Sequence, residues 1–305
     1  MIRNSRVVVI LGPTAVGKSG IAVELAKKLG GEIISADSRQ VYRGLNIGTG
    51  KITEAEMEGV PHHLLDVAEP KKRFTVVEFQ KLAREKITEI FSRGHLPIIC
   101  GGTGFYIEAT LGSVAFPNVP PNEELRKTLA KKSARALFAL LKRLDPKRAE
   151  KIDPRNIRRV IRAVEIARVL GKVPPTKTAR KRFDALKIGV TLPPEELKMK
   201  IAIRLFARMR EGLVEEARAL HVAGLSWKRM EELGLEYRFL SRFLRKKITE
   251  DALATELHLA IWHFARRQMT WFRRDSAIKW FRPDETKKIW MAINTFLRKK
   301  NPPKT

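Results

Sequence analysis

The sequence predicts an α/β protein in which a parallel sheet is flanked by helices and carries a helical insertion. Three observations predict it. Over the first 115 residues, apolar runs of strand length alternate with helical periodicity. The first of these runs passes directly into a glycine-rich loop and then a helix. A proline-marked break at 116–121 opens a wholly helical, strongly basic stretch, after which a further apolar run restores the strand pattern.

Residues 7–11 (Val-Val-Val-Ile-Leu) read as a buried strand. Residues 12–19 follow G-x-x-x-x-G-K-[ST] without interruption. In a strand–turn–helix context this pattern turns several backbone N–H groups toward one concave spot, where the helix N-terminus adds its positive dipole end. Gly12, Thr14, Ala15, Val16 and Gly17 form the cradle, Lys18 brings a full charge to the phosphates, and the Ser19 hydroxyl can ligate Mg²⁺. The fold expected is therefore a P-loop NTPase-like sheet. A helix over 18–29, apolar at Ile21, Leu25, Ala26 and Leu29, stops at Gly30-Gly31. Residues 32–36 and 62–67 read as strands, 75–93 as a helix, and 96–100 as a third buried strand that closes on Gly101-Gly102-Thr103-Gly104 and a short helix.

Beyond the proline break, helices are expected over 123–132 and 134–144. Another begins near Asn156, apolar at Val160, Ile161, Val164, Ile166, Ala167, Val169 and Leu170 and ended by Gly171. Pro174-Pro175 reads as a linker, and 186–190 returns to the sheet. The expected division is a core of 1–115 with 184–305, and an insertion of 116–183. Helices over 195–223, 250–274 and 284–299 complete the chain.

Charge is distributed unevenly. The first 115 residues carry 15 Lys+Arg against 12 Asp+Glu, a balance of +3, which leaves +25 of the net +28 for the remainder. A nearly neutral phosphate-binding half joined to a very basic one points to a small phosphorylated ligand and a polyanion, nucleic acid above all. Glu is too scarce for ion-pair networks to absorb that charge. No run approaches the eighteen or so apolar residues of a membrane span, and the first strand starts too early for a signal peptide. Cys100 is the single cysteine, which excludes a disulfide framework and a cysteine metal site; after Pro97-Ile98-Ile99 it reads as a buried, inert thiol. A monomer in a reducing cytoplasm is expected.

Polar clusters fall where strands end: Asp37-Ser38-Arg39-Gln40, then Gly48-Thr49-Gly50-Lys51, then Thr103, with Arg204 on a later helix. In an open α/β sheet such ends converge on the phosphate loop, which places Asp37 for general-base work, although a lone aspartate there also suits a turn or helix cap. His62-His63 lacks a third ligand at metal spacing, so zinc is not expected and a structural or substrate-orienting role is.

Seven segments together carry a resemblance: residues 12–19, Ser35-Ala36-Asp37-Ser38-x-Gln40-Val41-Tyr42, Asn46-Ile47-Gly48-Thr49-x-Lys51, Pro61-His62-His63-Leu64-Leu65-Asp66, Gly101-Gly102-Thr103-Gly104-x-Tyr106, Asn156-Ile157-Arg158-Arg159-Val160-Ile161-Arg162-Ala163, and Arg266-Arg267-Gln268-Met269-Thr270-Trp271-Phe272-Arg273. In this order the chain resembles the tRNA dimethylallyltransferase family, in its bacterial form without a C-terminal zinc finger. The resemblance implies transfer of the dimethylallyl group of dimethylallyl diphosphate to N6 of adenosine 37 in tRNAs reading codons that begin with U. It implies Asp37 as the base, Thr103 as its orienting partner, and Lys18, Lys51, Arg204 and the loop, with Mg²⁺ on Ser19, as holders of the departing diphosphate. It also implies tRNA contacts at Ser38, Arg39, Gln40, Thr103, Arg126, Arg158, Arg159, Arg162, Arg267, Gln268, Trp271 and Arg273. Trp271 equally suits core packing, given its helical spacing from Phe264. The chain departs from the family pattern at Gly50, Ile52, Lys200 and 232–237. Competing readings are an adenylate isopentenyltransferase acting on free nucleotide, a P-loop kinase or RNA-stimulated ATPase, and a non-enzymatic RNA-binding module.

Overall fold

The computed structural model describes residues 6–175 and 182–298. β1 (Arg6–Leu11), α1 (Lys18–Leu29), β2 (Gly31–Ser35), α2 (Glu54–Met57), β3 (His62–His63), α3 (Val76–Ser92), β4 (Leu96–Gly101) and α4 (Gly104–Leu111) form the first run of elements. α5 (Glu123–Ala130), α6 (Ala134–Leu144), α7 (Pro146–Ala149) and α8 (Ile157–Leu170) follow, then β5 (Asp184–Val190), α9 (Pro194–Arg210), α10 (Leu213–Val222), α11 (Trp227–Leu233), α12 (Leu235–Leu244), α13 (Glu250–Phe272), β6 (Lys279–Phe281) and α14 (Thr286–Arg298).

The six strands form one sheet in the order β3-β2-β4-β1-β5-β6. Every pair is parallel; β1 registers Ile10 against Cys100 on one side and Ile188 on the other. A parallel sheet covered on both faces needs strands that are apolar throughout, which the buried run Val7-Val8-Val9-Ile10-Leu11 provides. Each such side chain contributes about 1.5–3 kcal/mol on burial. Because all strands run the same way, the loops after β1, β2 and β4 emerge at one end.

Two compact units are present: Met1–Leu111 with Lys181–Thr305, and Gly112–Arg180. The first contains the sheet and its main core. The second has its own core of Leu129, Leu137, Leu141, Ala149, Ile152, Val160, Ala163 and Val164. The expected insertion runs through 176–181 and the expected last helix to 299, positions outside the described residues. No helix among the described residues is long and apolar enough to cross a membrane.

Three expectations are corrected. The strand expected over 62–67 pairs only at His62 and His63, because Leu64 and Asp66 take left-handed φ of 63° and 56° and turn the chain out of the ladder. The helix expected over 195–223 breaks at Gly212, φ 99°, into α9 and α10. The stretch 195–305, which reads as helical, is interrupted by the strand β6, while α11 and α12 fill the part between the expected helices.

At the opposite end of the sheet from the strand-end loops, Glu32 is buried in β2 and gathers four donors. Its Oε1 accepts from Arg93 Nε (3.0 Å) and His95 Nδ1 (2.7 Å), and its Oε2 from Arg93 Nη2 (2.7 Å) and His63 Nε2 (2.6 Å). His62 caps the turn through Val60 O (2.8 Å). The two histidines are therefore structural. Burial alone would raise the Glu32 carboxyl; the hydrogen bonds from Arg93, His63 and His95 outweigh it and bring the pKa down to about 2. A carboxylate depressed in the folded state stabilises above its ordinary pKa of 4.5 and loses that contribution as pH falls toward 2. Glu32→Gln is expected to cost about 2 kcal/mol at pH 7. In thermal melts the gap from the unsubstituted protein should narrow steadily below pH 4.5; a gap that stays constant down to pH 3 would contradict the assignment.

Candidate active site

β1 delivers the chain to Gly12, whose φ is 148°; a Cβ there would lie 2.2 Å from the Val190 carbonyl oxygen of β5, so only glycine passes. Ala15 (φ 65°) and Gly17 (φ 86°) then turn the backbone so that α1 starts at Lys18. α1 has no side-chain cap and no acidic residue in its first turn. Its leading N–H groups are thus left without a helical or side-chain partner, the condition in which a helix N-terminus takes an anion.

Lys18 Nζ folds back onto Pro13 O at 2.5 Å. Burial lowers its pKa to about 8; the Arg204 charge also lowers it, while Cys100 and Asp37 act in the opposite sense. The Arg204 guanidinium is likewise lowered, by burial first and then by Arg208, against Glu236, Glu56 and Asp37. Lys18, Arg204 and Asp37 therefore sense one another's charge at one end of the sheet. Cys100 is buried, and burial pushes its thiol up to about 11, as expected of an inert side chain.

Asp37 follows β2. Its Oδ1 accepts the Arg39 N–H (2.8 Å) and the Gln40 N–H (3.4 Å), an Asx-turn that fixes the carboxylate, while Oδ2 accepts no hydrogen bond among the described residues. Thr103, at the end of β4, locks the same turn from the other side: Thr103 N–H donates to Ala36 O (3.1 Å) and the Ser38 N–H donates to Thr103 Oγ1 (3.0 Å). Thr103 thus holds Asp37 through the backbone. Gln40 accepts from Ser35 Oγ at 3.1 Å and donates through Nε2 to Thr49 O (3.5 Å) and Gly50 O (3.1 Å), so its spare capacity is an acceptor lone pair. Arg204 Nη2 donates to the same Gly50 O at 3.0 Å. Arg39 is half-buried in the turn beside Ser38.

Several expected ligand contacts have other work. The three N–H donors of Lys51 go to Tyr42 O (3.0 Å), Asn46 Oδ1 (2.9 Å) and Asp66 Oδ1 (2.5 Å), clipping two loops together. Gln268 is buried, not presented to RNA. Its Oε1 accepts the Thr14 N–H (2.9 Å) and its Nε2 donates to Gly102 O (2.9 Å), tying the phosphate loop to the end of β4. Trp271 packs on Gly104 and donates to Glu108 Oε1 (3.0 Å), which favours the packing role. In the second unit, Arg126 makes a two-pronged pair with buried Glu165 (3.0 and 2.9 Å). Arg162 donates to that same carboxylate and to Val119 O (2.8 Å). The Asn122 N–H also donates to Glu165 (2.6 Å), so both half-buried arginines are anchored on one buried carboxylate. Arg158 and Arg159 on α8, Arg267 on α13 and Arg273 just after it are exposed.

Four residues that sequence reading missed hold the loop 46–50: Arg208, Glu216, Glu236 and Tyr237. Arg208 and Glu216 are helical residues more than 150 positions away with no local signal, while Glu236 and Tyr237 lie in the segment 232–237, which reads only as a departure from the family pattern.

A glycine-rich loop ending the central parallel strand β1, with a carboxylate at the end of β2 on the far side of β4, is the architecture of a P-loop type α/β protein. The family model for IPP transferase matches residues 40–275, and that for isopentenyl transferase matches 5–73. The tRNA dimethylallyltransferase of Geobacillus thermodenitrificans is 42% identical over 305 residues, covering 97% of this chain and 96% of its own. The crystal structure of the tRNA isopentenylpyrophosphate transferase from Bacillus halodurans superposes with a TM-score of 0.73 at 38% identity, covering 96% of each chain. A eukaryotic dimethylallyltransferase acting on tRNA shares the fold, with a TM-score of 0.84 at 22% identity over 99% of this chain and 81% of that one. The chain belongs to the tRNA dimethylallyltransferase family.

The lowered Lys18 sets a pH dependence. Below about pH 8 the ammonium is charged in the ligand-free protein; above it the neutral amine predominates, and an anion must draw a proton back on binding. The dissociation constant for inorganic diphosphate is therefore expected to rise above pH 8. Calorimetry at pH 8.5 in two buffers of different ionisation enthalpy should show net proton uptake; binding with no proton uptake and a flat affinity up to pH 9.5 would contradict this.

Proposed function

We propose that this protein transfers the dimethylallyl group of dimethylallyl diphosphate to N6 of adenosine 37 in the anticodon loop of tRNAs reading codons that begin with U. The observation that carries the reading is the placement of Asp37, with Oδ2 uncommitted, in the electrostatic field of Lys18 and Arg204 beside an uncapped helix N-terminus.

The chemistry follows from that arrangement. The bond between the allylic carbon and the diphosphate oxygen breaks, and diphosphate leaves with the electron pair. The N–H groups of the loop, Lys18 and Arg204 stabilise the charge that develops on it. The N6 amine of adenine is a weak nucleophile because its lone pair is delocalised into the ring. As its bond to carbon forms, the amine gives up a proton, which Asp37 Oδ2 is placed to accept. Ser38 and the Gln40 acceptor lone pair lie in the same turn, where they can read the edge of the flipped base.

Mg²⁺ fits the donor set. Among the described residues no group of three or more His, Cys, Asp or Glu could hold a metal, so the ion would be held by Ser19, at the start of α1, with diphosphate oxygens and water, the ligands Mg²⁺ prefers. Bound there, it would neutralise part of the leaving-group charge.

Exposed Arg158, Arg159, Arg267 and Arg273 supply cations for the anticodon stem-loop, with affinity that should fall steeply with salt. The reading places the protein in the cytoplasm, acting as a monomer. Asp37→Ala should lower turnover roughly 10²–10⁴-fold while the dissociation constant for the stem-loop stays within about twofold. A wild-type rate in that variant would remove Asp37 from the mechanism.

A further inference from the structure

The loop 46–50 has no regular secondary structure, yet most of its backbone polar groups are matched by side chains from distant helices. Three consecutive N–H groups converge on one carboxylate: Asn46 and Ile47 donate to Glu216 Oε2 at 2.9 and 2.7 Å, and Gly48 to Oε1 at 2.9 Å. Tyr237 Oη adds a fourth donor to Oε1 at 2.7 Å. Successive N–H groups facing one point form an anion-binding nest. Here the protein fills the nest with its own anion.

The carbonyl side is equally occupied. Arg208 Nη1 donates to Gly48 O (3.1 Å) and, more weakly, to Ile47 O (3.4 Å), and is itself held by Glu236 Oε1 (3.0 Å). Gly50 O accepts from both Arg204 Nη2 and Gln40 Nε2. Tyr237 is fully buried directly beneath Gly48, where a Cβ would stand 2.6 Å from the phenol oxygen. The loop cannot slide without breaking several of these contacts together.

We propose that Glu216, supported by Tyr237, is a positioning residue for the transfer reaction: it fixes the nest at 46–48 and thereby aims the Gly50 carbonyl, which sets where the Arg204 guanidinium and the Gln40 amide stand. The proposal rests on the transferase reading for its kinetic consequences, but its binding consequences follow from the geometry alone. Glu216 touches neither the phosphate loop nor Asp37; it acts through Gly50 O, a shared acceptor. Removing it frees three N–H groups and lets the loop, and Arg204 with it, relax.

The test is a double-mutant cycle between Glu216→Ala and Arg204→Ala, read by the affinity for inorganic diphosphate with Mg²⁺ and by kcat and KM for dimethylallyl diphosphate. Glu216→Ala is expected to weaken diphosphate binding and raise the donor KM by roughly tenfold, with the stem-loop dissociation constant within about twofold of wild type. The two substitutions together should cost little more than Arg204→Ala alone, because both act through the same guanidinium. Glu216→Gln, which keeps one oxygen for the nest, should recover part of the loss. Tyr237→Phe deletes only one donor and keeps the fold; a roughly threefold effect in the same direction is expected. Additive losses, or a lowered melting temperature with unchanged diphosphate affinity and donor KM, would overturn the proposal. If the wild-type protein bound diphosphate but transferred no dimethylallyl group, the transferase reading would fail, and the binding arm of the cycle would still decide the role of Glu216.

Discussion

A helix that begins without a side-chain cap leaves its first N–H groups unsatisfied, and the catalytic end of this sheet is arranged around that deficit. β1 and β5 approach so closely at Gly12 and Val190 that the loop can only rise over the sheet end, and Gln268 then pins Thr14 to the Gly102 turn. The loop is thus tied at both ends of its turn, and the Lys18 ammonium, its pKa lowered by burial, lies beside it. Asp37 is fixed at the end of β2 by backbone hydrogen bonds to one carboxylate oxygen, which leaves the other uncommitted among the described residues.

Positive charge is spent in two ways along the chain. Some arginines of the basic half are committed to a carboxylate: Arg126 and Arg162 converge on buried Glu165, and burial, which would raise that carboxyl, is outweighed by hydrogen bonds from Arg126, the Asn122 N–H and Arg162, which hold it low. Arg208 is similarly committed between Glu236 and the 46–50 loop. Others, Arg158 and Arg159 among them, stand exposed on α8. Net charge alone does not separate the two groups; the carboxylates within reach do.

Much of this was legible in the sequence because it depends on local pattern. The strand-length run 7–11, the glycines at 12 and 17 and the helical period after Lys18 are short-range signals, and β1, the loop and α1 stand where they place them. The strand end at Asp37 was legible for the same reason. What the sequence does not show are partners supplied from a distance. Lys51 and Gln268 lie in motifs that point to a ligand, and the structure adds the partners no motif reveals, Asp66 and Thr14. Glu216 gave no signal, because a carboxylate on an amphipathic helix looks the same whether it faces water or three backbone N–H groups. Local φ settled the rest: left-handed Leu64 cut a strand short, and Gly212 split a helix.

The central claim is that this phosphate loop serves a departing diphosphate and not a transferred phosphoryl group. The most direct measurement incubates the protein with Mg²⁺, an anticodon stem-loop and radiolabelled dimethylallyl diphosphate, with a parallel reaction in which ATP replaces the prenyl donor. Label is expected in the RNA in equal molar amount with released diphosphate, with no orthophosphate from ATP above background. Steady release of γ-phosphate from ATP, with no label entering the RNA, would contradict it.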